Sequence, residues 1–372
     1  MRELTCTTPA ILSGMQALTD GKAAVCQIDY AVERTTVQVV DTAADEVSAE
    51  CTLEGAWELK AQGFQDGRIA LYCREEGVWK FLDSALREQG TWAQESGDGF
   101  FSYDGTAYYA LQEEILCRWE VGTETFRRVE FATDLRISEI TAYDAQSGRM
   151  AVQFLLSPYG SDLGTAILHP DTGGIDMLSA ARYQVGFSLE DGACLLAYDE
   201  EAAGYSATYG AGEDFRFAPS EVFRAANGDL YAPAGGQYLL NPMGESRLYV
   251  LGEEVAAYSL AENGVSGAMY HACMLPEGLM LGAAFRDWAF HLYVLDPAQL
   301  AAEQMTAVEG AVSPVVVDKA LAASYWTEVT PPAVADSLQE GARRRTPWKR
   351  PMACASCSPR SAGKQRSCAT CP

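Results

Sequence analysis

Histidine is scarce in this chain: three residues in 372, at His169, His271 and His291. Each falls in or at the end of a short apolar run, where a strand histidine needs no catalytic explanation. Equally absent are the motifs that would announce a hydrolase. There is no H-E-x-x-H pair for a metal and no Gly-x-Ser-x-Gly nucleophile turn. Gly210-Ala-Gly212 and Gly235-Gly236 have no following helix, which excludes a phosphate loop. No apolar run approaches the length of a membrane span. The start, Met1-Arg2-Glu3-Leu4-Thr5-Cys6, has no hydrophobic core for a signal peptide, and Glu3 stands where a lipid-modified cysteine requires an aliphatic residue. Cations are few as well. The chain has 27 Lys and Arg against 51 Asp and Glu, a net charge of −24. Eight of those cations and no acid lie in residues 341–372, so the preceding 340 residues are more acidic still. Such a body repels phosphate backbones and anionic lipid, which argues against nucleic-acid binding and peripheral membrane docking.

Glycine and the turn-formers are plentiful, and they are spaced. A dipeptide ending in glycine precedes a short apolar run at Gly21, Gly67, Gly105, Gly148, Gly192, Gly228 and Gly278. The mean interval is about 43 residues, the period of a four-stranded propeller blade. The runs after the glycines include Gly67-Arg-Ile-Ala-Leu-Tyr-Cys73, Gly105-Thr-Ala-Tyr-Tyr-Ala-Leu111 and Gly148-Arg-Met-Ala-Val-Gln-Phe154. Each reads as a strand entered from a tight hairpin. A polar gap and a partner run follow: Thr36–Asp41, Val78–Asp83, Ile115–Val121, Thr165–His169, Ser206–Tyr209, Gln237–Asn241 and Ala289–Asp296. Upstream runs such as Gly99–Tyr103, Ile137–Tyr143, Tyr183–Leu189 and Met269–Leu275 predict innermost strands, and Phe126–Phe131 an outer one. Ala298–Ala307 is the one stretch before residue 310 that suits a helical turn or two.

One such hairpin buries too little to be stable alone, whereas radial stacking covers both faces of each sheet. The sequence therefore predicts an all-β fold, a seven-bladed β-propeller over residues 1–310. The interval from Gly228 to Gly278 is the longest and carries an extra apolar run, Arg247–Leu251, so an eight-bladed or irregular ring is the alternative. Residues 311–340 read as a linker or the start of a truncated second domain, and 341–372 as a basic, Cys-rich tail, disordered or non-native.

Cysteine divides in the same way. Cys6, Cys26, Cys51, Cys73, Cys117, Cys194 and Cys273 form an odd set without paired spacing, unlike a disulfide framework. Five of them sit inside predicted strands as small hydrophobes. The tail instead holds Cys354-Ala-Ser-Cys357 and Cys368-Ala-Thr-Cys371, two pairs able to hold one tetrahedral zinc. The ten residues between them contain nothing to pack around a metal, and the tail as a whole reads like a GC-rich region translated out of frame. No cofactor is expected unless that tail is genuine, in which case zinc is.

The gaps between second and third strands would emerge on one face of the ring. The richest contain Tyr159 and Asp162, then Asp199, Glu200 and Tyr205, then Arg286, Asp287 and Trp288. Carboxylates beside aromatics suit a peptide or a sugar, and paired acids also suit glycoside chemistry. No catalytic residue is assigned.

The form X-Asp-Gly, strand, gap, strand closing on Asp resembles bacterial extracytoplasmic β-propellers built of degenerate blades. It is similar in particular to the amino-terminal propeller of clostridial surface lipoproteins that continue into a solute-binding domain. The likeness covers about residues 10–310, would place the domain junction at Thr306–Ala335, and implies a cell-surface protein. The expected function is a non-enzymatic, monomeric binding module for a protein, peptide or glycan. The alternatives are a propeller glycan hydrolase or lyase and an adaptor with a C-terminal four-cysteine zinc site.

Overall fold

The computed structural model describes residues 1–5, 11–133, 135–156, 161–187, 192–199, 204–211, 216–223, 228–231, 238–242, 246–251 and 255–300. Strand β1 (Arg2–Glu3) is followed by six antiparallel meanders. The first comprises β2 (Ile11–Ala17), β3 (Lys22–Asp29), β4 (Arg34–Asp41) and β5 (Glu46–Glu54), and the second β6 (Trp57–Lys60), β7 (Ile69–Cys73), β8 (Val78–Leu82) and β9 (Glu88–Ala93). The third is β10 (Phe100–Phe101), β11 (Ala107–Gln112), β12 (Ile115–Glu120) and β13 (Phe126–Arg128). The fourth is β14 (Ile137–Asp144), β15 (Arg149–Leu155), β16 (Leu163–His169) and β17 (Gly174–Ser179). Then come β18 (Gln184–Phe187), β19 (Ala193–Asp199), β20 (Gly204–Ala211) and β21 (Arg216–Phe223). The sixth is β22 (Gly228–Tyr231), β23 (Tyr238–Pro242), β24 (Arg247–Leu251) and β25 (Val255–Ser259). A last sheet holds β26 (Ala268–Met274), β27 (Met280–Arg286) and β28 (Ala289–Leu295), and β1 completes it by pairing with β28. A single 3₁₀ turn, Pro297–Gln299, is the one helical element among the described residues.

Turn chemistry explains the regularity. Gly21, Gly67, Gly105, Gly148 and Gly278 all have φ between 67° and 80°, the left-handed value their hairpins need. The aspartates in these connections cap their own turns: Asp41 accepts from the Ala43 and Ala44 N–H groups, Asp83 from Ala85 and Arg87, and Asp104 from Thr106.

Among the described residues, buried clusters join neighbouring sheets at six of the seven junctions of the ring. Leu18, Val37, Trp57 and Leu71 join the first and second sheets, and Trp79, Phe101 and Tyr108 the second and third. Tyr109, Ile137, Val152 and Phe154 join the third and fourth, and Ile167, Met177, Val185 and Leu195 the fourth and fifth. A Cβ on Gly186 would meet the Leu230 side chain at 2.5 Å, so the fifth and sixth sheets touch there. Leu248, Val250, Met269 and Tyr293 join the sixth to the last. Leu12, Met15, Leu281 and Leu292 close the last onto the first, with Leu4 wedged among them. This is an all-β propeller of four-stranded sheets.

The sixth sheet departs from the sequence pattern. That pattern makes Gly228 the entry to a second strand, but Gly228–Tyr231 is the innermost strand of its sheet. Tyr238–Pro242 is the second strand, and Arg247–Leu251, which looked surplus, is the third. The long interval thus holds an offset, not an extra unit.

Candidate functional site

Because each sheet is a meander, the turn between its second and third strands lies at the same edge as the start of its innermost strand and the connector from the previous sheet. That edge carries a cavity of about 600 Å³. It exists because β10 is only two residues long, whereas the innermost strands on either side, β6 and β14, have four and eight. The shortfall leaves a gap between β6 and β14, occupied by the connector Ser96–Gly99.

Two tyrosines fix that connector. The Tyr108 hydroxyl donates to the Ser96 carbonyl at 2.7 Å and accepts from the Gly99 N–H at 2.7 Å. The Tyr72 hydroxyl donates to the Glu95 carbonyl at 2.7 Å. Only glycine fits here: a Cβ on Gly97 would lie 2.2 Å from the Tyr72 ring, and one on Gly99 2.3 Å from the Tyr109 carbonyl oxygen. Buried Gln62 holds β10 from the other side, accepting from the Phe101 N–H at 2.9 Å and donating to its carbonyl. Opposite, β14 slips register between Ile137 and Glu139 and again between Ile140 and Ala142. Such bulges re-aim side chains, and Ser138, Glu139 and Ile140 line the cavity.

Charge at the mouth of the cavity is organised round one exposed guanidinium. Arg74 bonds Glu58 at 3.0 Å and Asp98 at 3.2 Å. Lys60 is placed differently. Its Nζ sits 3.9 Å from the centroid of the Phe100 ring, a cation–π contact, and it makes no hydrogen bond to any described residue. Burial lowers its pKa from 10.5 to about 8, against the opposing pull of Asp98. Trp79, which also lines the cavity, is fully buried, and its indole Nε1–H has no acceptor among the described residues. Tyr72 and Leu111 complete the wall.

A second cavity, of about 380 Å³, is the central channel. Six innermost strands reach it, through residues that include Ser13, Leu59, Thr141, Gln184, Leu230 and His271. β10 does not.

The residues expected from the sequence lie apart from this cavity. Arg286, Asp287 and Trp288 form the turn between β27 and β28, with positive φ at Asp287 and Trp288, and Trp288 is 89% exposed. Arg286 is engaged in closure of the ring, bonding Glu3 at 3.2 Å beside His291. Asp162 is exposed in the turn before β16. Asp199 ends β19 opposite Gly204, and Tyr205 lies opposite Tyr198 in the same hairpin. None of these lines the cavity, whose own residues come from another sector of the ring. Tyr159, Glu200 and the cysteines Cys354, Cys357, Cys368 and Cys371 lie outside the described residues, as do 311–340 and 341–372. Among the described residues no cluster of His, Cys, Asp and Glu could hold a metal, and no helix is long and apolar enough to cross a membrane. The site residues that sequence reasoning missed, Glu58, Lys60, Trp79, Asp98 and Glu139, had one signal available. The run at Phe100 is the shortest of the innermost set and is entered through Gly97-Asp98-Gly99.

No family model matches this sequence, and no curated protein does. Solved structures do resemble the fold. A chain of hydrazine synthase from Kuenenia stuttgartiensis superposes with TM-score 0.53 at 12% identity, covering 78% of this chain and 96% of that one. Virginiamycin B lyase from Staphylococcus aureus, a catalytically inactive form solved with quinupristin, gives 0.51 at 11%, over 79% and 98%. The WD40 domain of coronin from Toxoplasma gondii gives 0.52 at 12%, over 80% and 86%. At such identities the likeness is one of fold alone: these include enzymes and a WD40 domain on the same scaffold.

Proposed function

We propose that this chain is a non-enzymatic, seven-bladed binding module that takes a protein, peptide or glycan through the face bearing the second-to-third strand turns. The observation that carries this reading is the cavity opened on that face by the truncated β10 and framed by Glu58, Lys60, Arg74, Asp98 and Glu139. Polar groups converging on a preformed concavity are the usual make-up of a ligand site. The exposed aromatics Tyr270, Phe285 and Trp288, on β26, β27 and the last turn, extend the surface available to a larger ligand. Resemblance to clostridial surface lipoproteins supports a place at a bacterial cell surface, where such a module would present ligand to a neighbouring domain.

The test is obstruction. Immobilised protein is screened against peptide and glycan panels, and the hits are repeated with Ser138→Trp, which fills the cavity from the bulge in β14. The reading expects at least tenfold weaker binding with an unchanged melting temperature. Undiminished binding of every hit by Ser138→Trp overturns it.

One observation favours a second reading, a glycan hydrolase or lyase. Glu58 and Asp98 both lie within hydrogen-bond reach of Arg74, so two carboxylates do converge in the mouth. Both are tied to the same guanidinium, whereas glycoside cleavage needs one carboxyl free to face the leaving oxygen. Turnover of a polysaccharide panel, abolished by Glu58→Gln, would decide for the enzyme.

A further inference from the structure

Exposed apolar side chains gather at one seam of the ring, away from the cavity. Tyr30 and Val32, in the turn between β3 and β4, are 60% and 59% exposed, and Trp288 projects from the turn between β27 and β28. Both are second-to-third strand turns, so they lie on one face, and they belong to the first and last sheets, which adjoin. The last sheet continues the patch on the side of the first. Phe285 is the direct cross-strand partner of Phe290, so the two share a side, and Phe290 belongs to the core between the last sheet and the first. There Phe285, itself exposed, meets Trp288 and Tyr270 edge-on, with ring centroids 6.4 Å apart in each pair. Contiguous exposed apolar groups rimmed by polar ones mark interaction surfaces.

The fold gives no reason for a tryptophan at this turn. Asp287 and Trp288 both have left-handed φ, 51° and 64°, a hairpin geometry that Asn-Gly adopts with far less strain. At 89% exposure the indole gains almost nothing from burial in return. Charge then indicates the partner. Asp29 and Glu33 flank Tyr30 and Val32, Asp287 precedes Trp288, and all three carboxylates are exposed. The cations of these turns are Arg34 and Arg286, and Arg286 is already held by Glu3 and Asp287. Glu33 has no ion pair among the described residues.

We infer that the seam between the last and first sheets binds a basic peptide segment of a partner protein, an arginine or lysine of which lies on the Trp288 indole. An exposed indole face attracts a cation, and Asp29, Glu33 and Asp287 supply opposite charge on the same two turns. Tyr30 and Val32 offer apolar area to the residues beside that cation. A second copy of this chain is a poor occupant, because two acidic faces of a protein with net charge −24 repel each other. The inference goes beyond the cavity reading above, since this surface shares its face but lies in another sector of the ring.

Fluorescence anisotropy on the full chain tests it, with a dye-labelled peptide of alternating arginine and leucine as the probe. The same peptide with glutamate in place of arginine, and a neutral glucose oligosaccharide, serve for comparison. The basic peptide should bind at least tenfold more tightly than the acidic one, and several-fold more weakly as salt rises from about 50 to 300 mM. Trp288→Gly is the decisive variant. Glycine suits the left-handed backbone, so the melting temperature should hold or rise while the peptide binds tenfold or more weakly. Glu33→Lys should weaken binding threefold or more. Glu124→Lys makes the same change of charge in the exposed turn between β12 and β13, on the opposite edge, and should alter binding less than twofold. Full binding by Trp288→Gly overturns the inference, as does an equal loss from Glu33→Lys and Glu124→Lys, which would mark general acidity alone. Tighter, salt-insensitive binding of the oligosaccharide overturns it too. So does failure of the basic peptide to bind, including the case in which the chain's own basic residues 341–372 fill the surface. Ser138→Trp should leave this peptide's affinity unchanged, and a loss there would place the peptide in the cavity instead, so the two readings can fail separately.

Discussion

Lys60 pays for its position in stability. Its ammonium is charged below pH 8 in both the folded and unfolded chain, and burial penalises it only when folded. Because the folded pKa lies under the ordinary 10.5, the penalty is fully present below about pH 8 and is relieved as pH rises from 8 towards 10.5. Replacing Lys60 with Met should therefore stabilise the protein by about 1–3 kcal/mol at pH 7. The gain should shrink between pH 8 and 10.5, as read by urea titration at several pH values. A constant gain across that range would sink the account. Asp98 is the charged group that acts on Lys60, and it is expected to moderate the effect, since its pull is the opposing one. The cysteines give a second test at this scale. Burial raises the thiol of Cys26 to about 11 and that of Cys273 to about 12, and pushes Cys194 higher. Thiolate is the reactive form. Native protein at pH 8 should leave these three unalkylated by iodoacetamide, and urea should expose them, as peptide mass mapping would show. These thiols were legible from sequence, because an apolar strand environment settles a cysteine's behaviour. Lys60 was not: Trp57-Glu-Leu-Lys60 reads as an ordinary amphipathic strand until the neighbouring strand is known to fall short.

Elements here are set by their ends more than by their middles. The second strands were readable because aspartate and glycine fix the hairpin that enters them, as at Asp20-Gly21 and Asp104-Gly105, where the glycine takes left-handed φ. Gly228 misled because it is a strand residue opposite Pro242 and not a turn residue, and composition alone does not separate the two. The truncation of β10 has a sterically enforced cause that a pattern of apolar residues does not convey. Gly99→Ala should cost about 2–4 kcal/mol, since the new methyl would overlap the Tyr109 carbonyl and the Tyr108 ring. Gly63→Ala, with nothing within 4 Å of the added carbon, should be close to neutral. Comparable losses from both in thermal unfolding would show that backbone freedom, not the connector's packing, governs this segment. β1 was wholly illegible. Two exposed residues, Arg2 and Glu3, carry no period, and their partners Val294 and Tyr293 lie at the far end of the ring.

That short strand decides how the molecule behaves as a whole. Without β1 the polypeptide is a row of sheets in which the first and last share only side chains. With β1 in place, residues from the amino terminus are hydrogen-bonded into the last sheet, and Leu4 is buried in the core between the last sheet and the first. The Leu4 N–H donates to the Leu292 carbonyl at 2.8 Å, and Glu3 bonds both Arg286 and His291. Every sheet then has two packed neighbours, so none can unfold without exposing apolar surface on both sides. A linear array frays from its ends, whereas a closed ring has no ends to fray. Unfolding should accordingly be one cooperative transition. The protein offers a direct check, because the tryptophans buried among the described residues, Trp57, Trp79, Trp92 and Trp119, all lie in the second and third sheets, while circular dichroism reports on every strand. The two signals should coincide in urea. Leu4→Ala should lower the midpoint by an amount equivalent to about 2–4 kcal/mol, the cost of a cavity at a fully buried leucine. It should also pull the signals apart, circular dichroism declining first as the last sheet and the first lose their seal and the tryptophan sector persists. If Leu4→Ala lowers both midpoints equally and the curves stay superimposed, the seam between the last sheet and the first is no weaker than the other junctions of the ring.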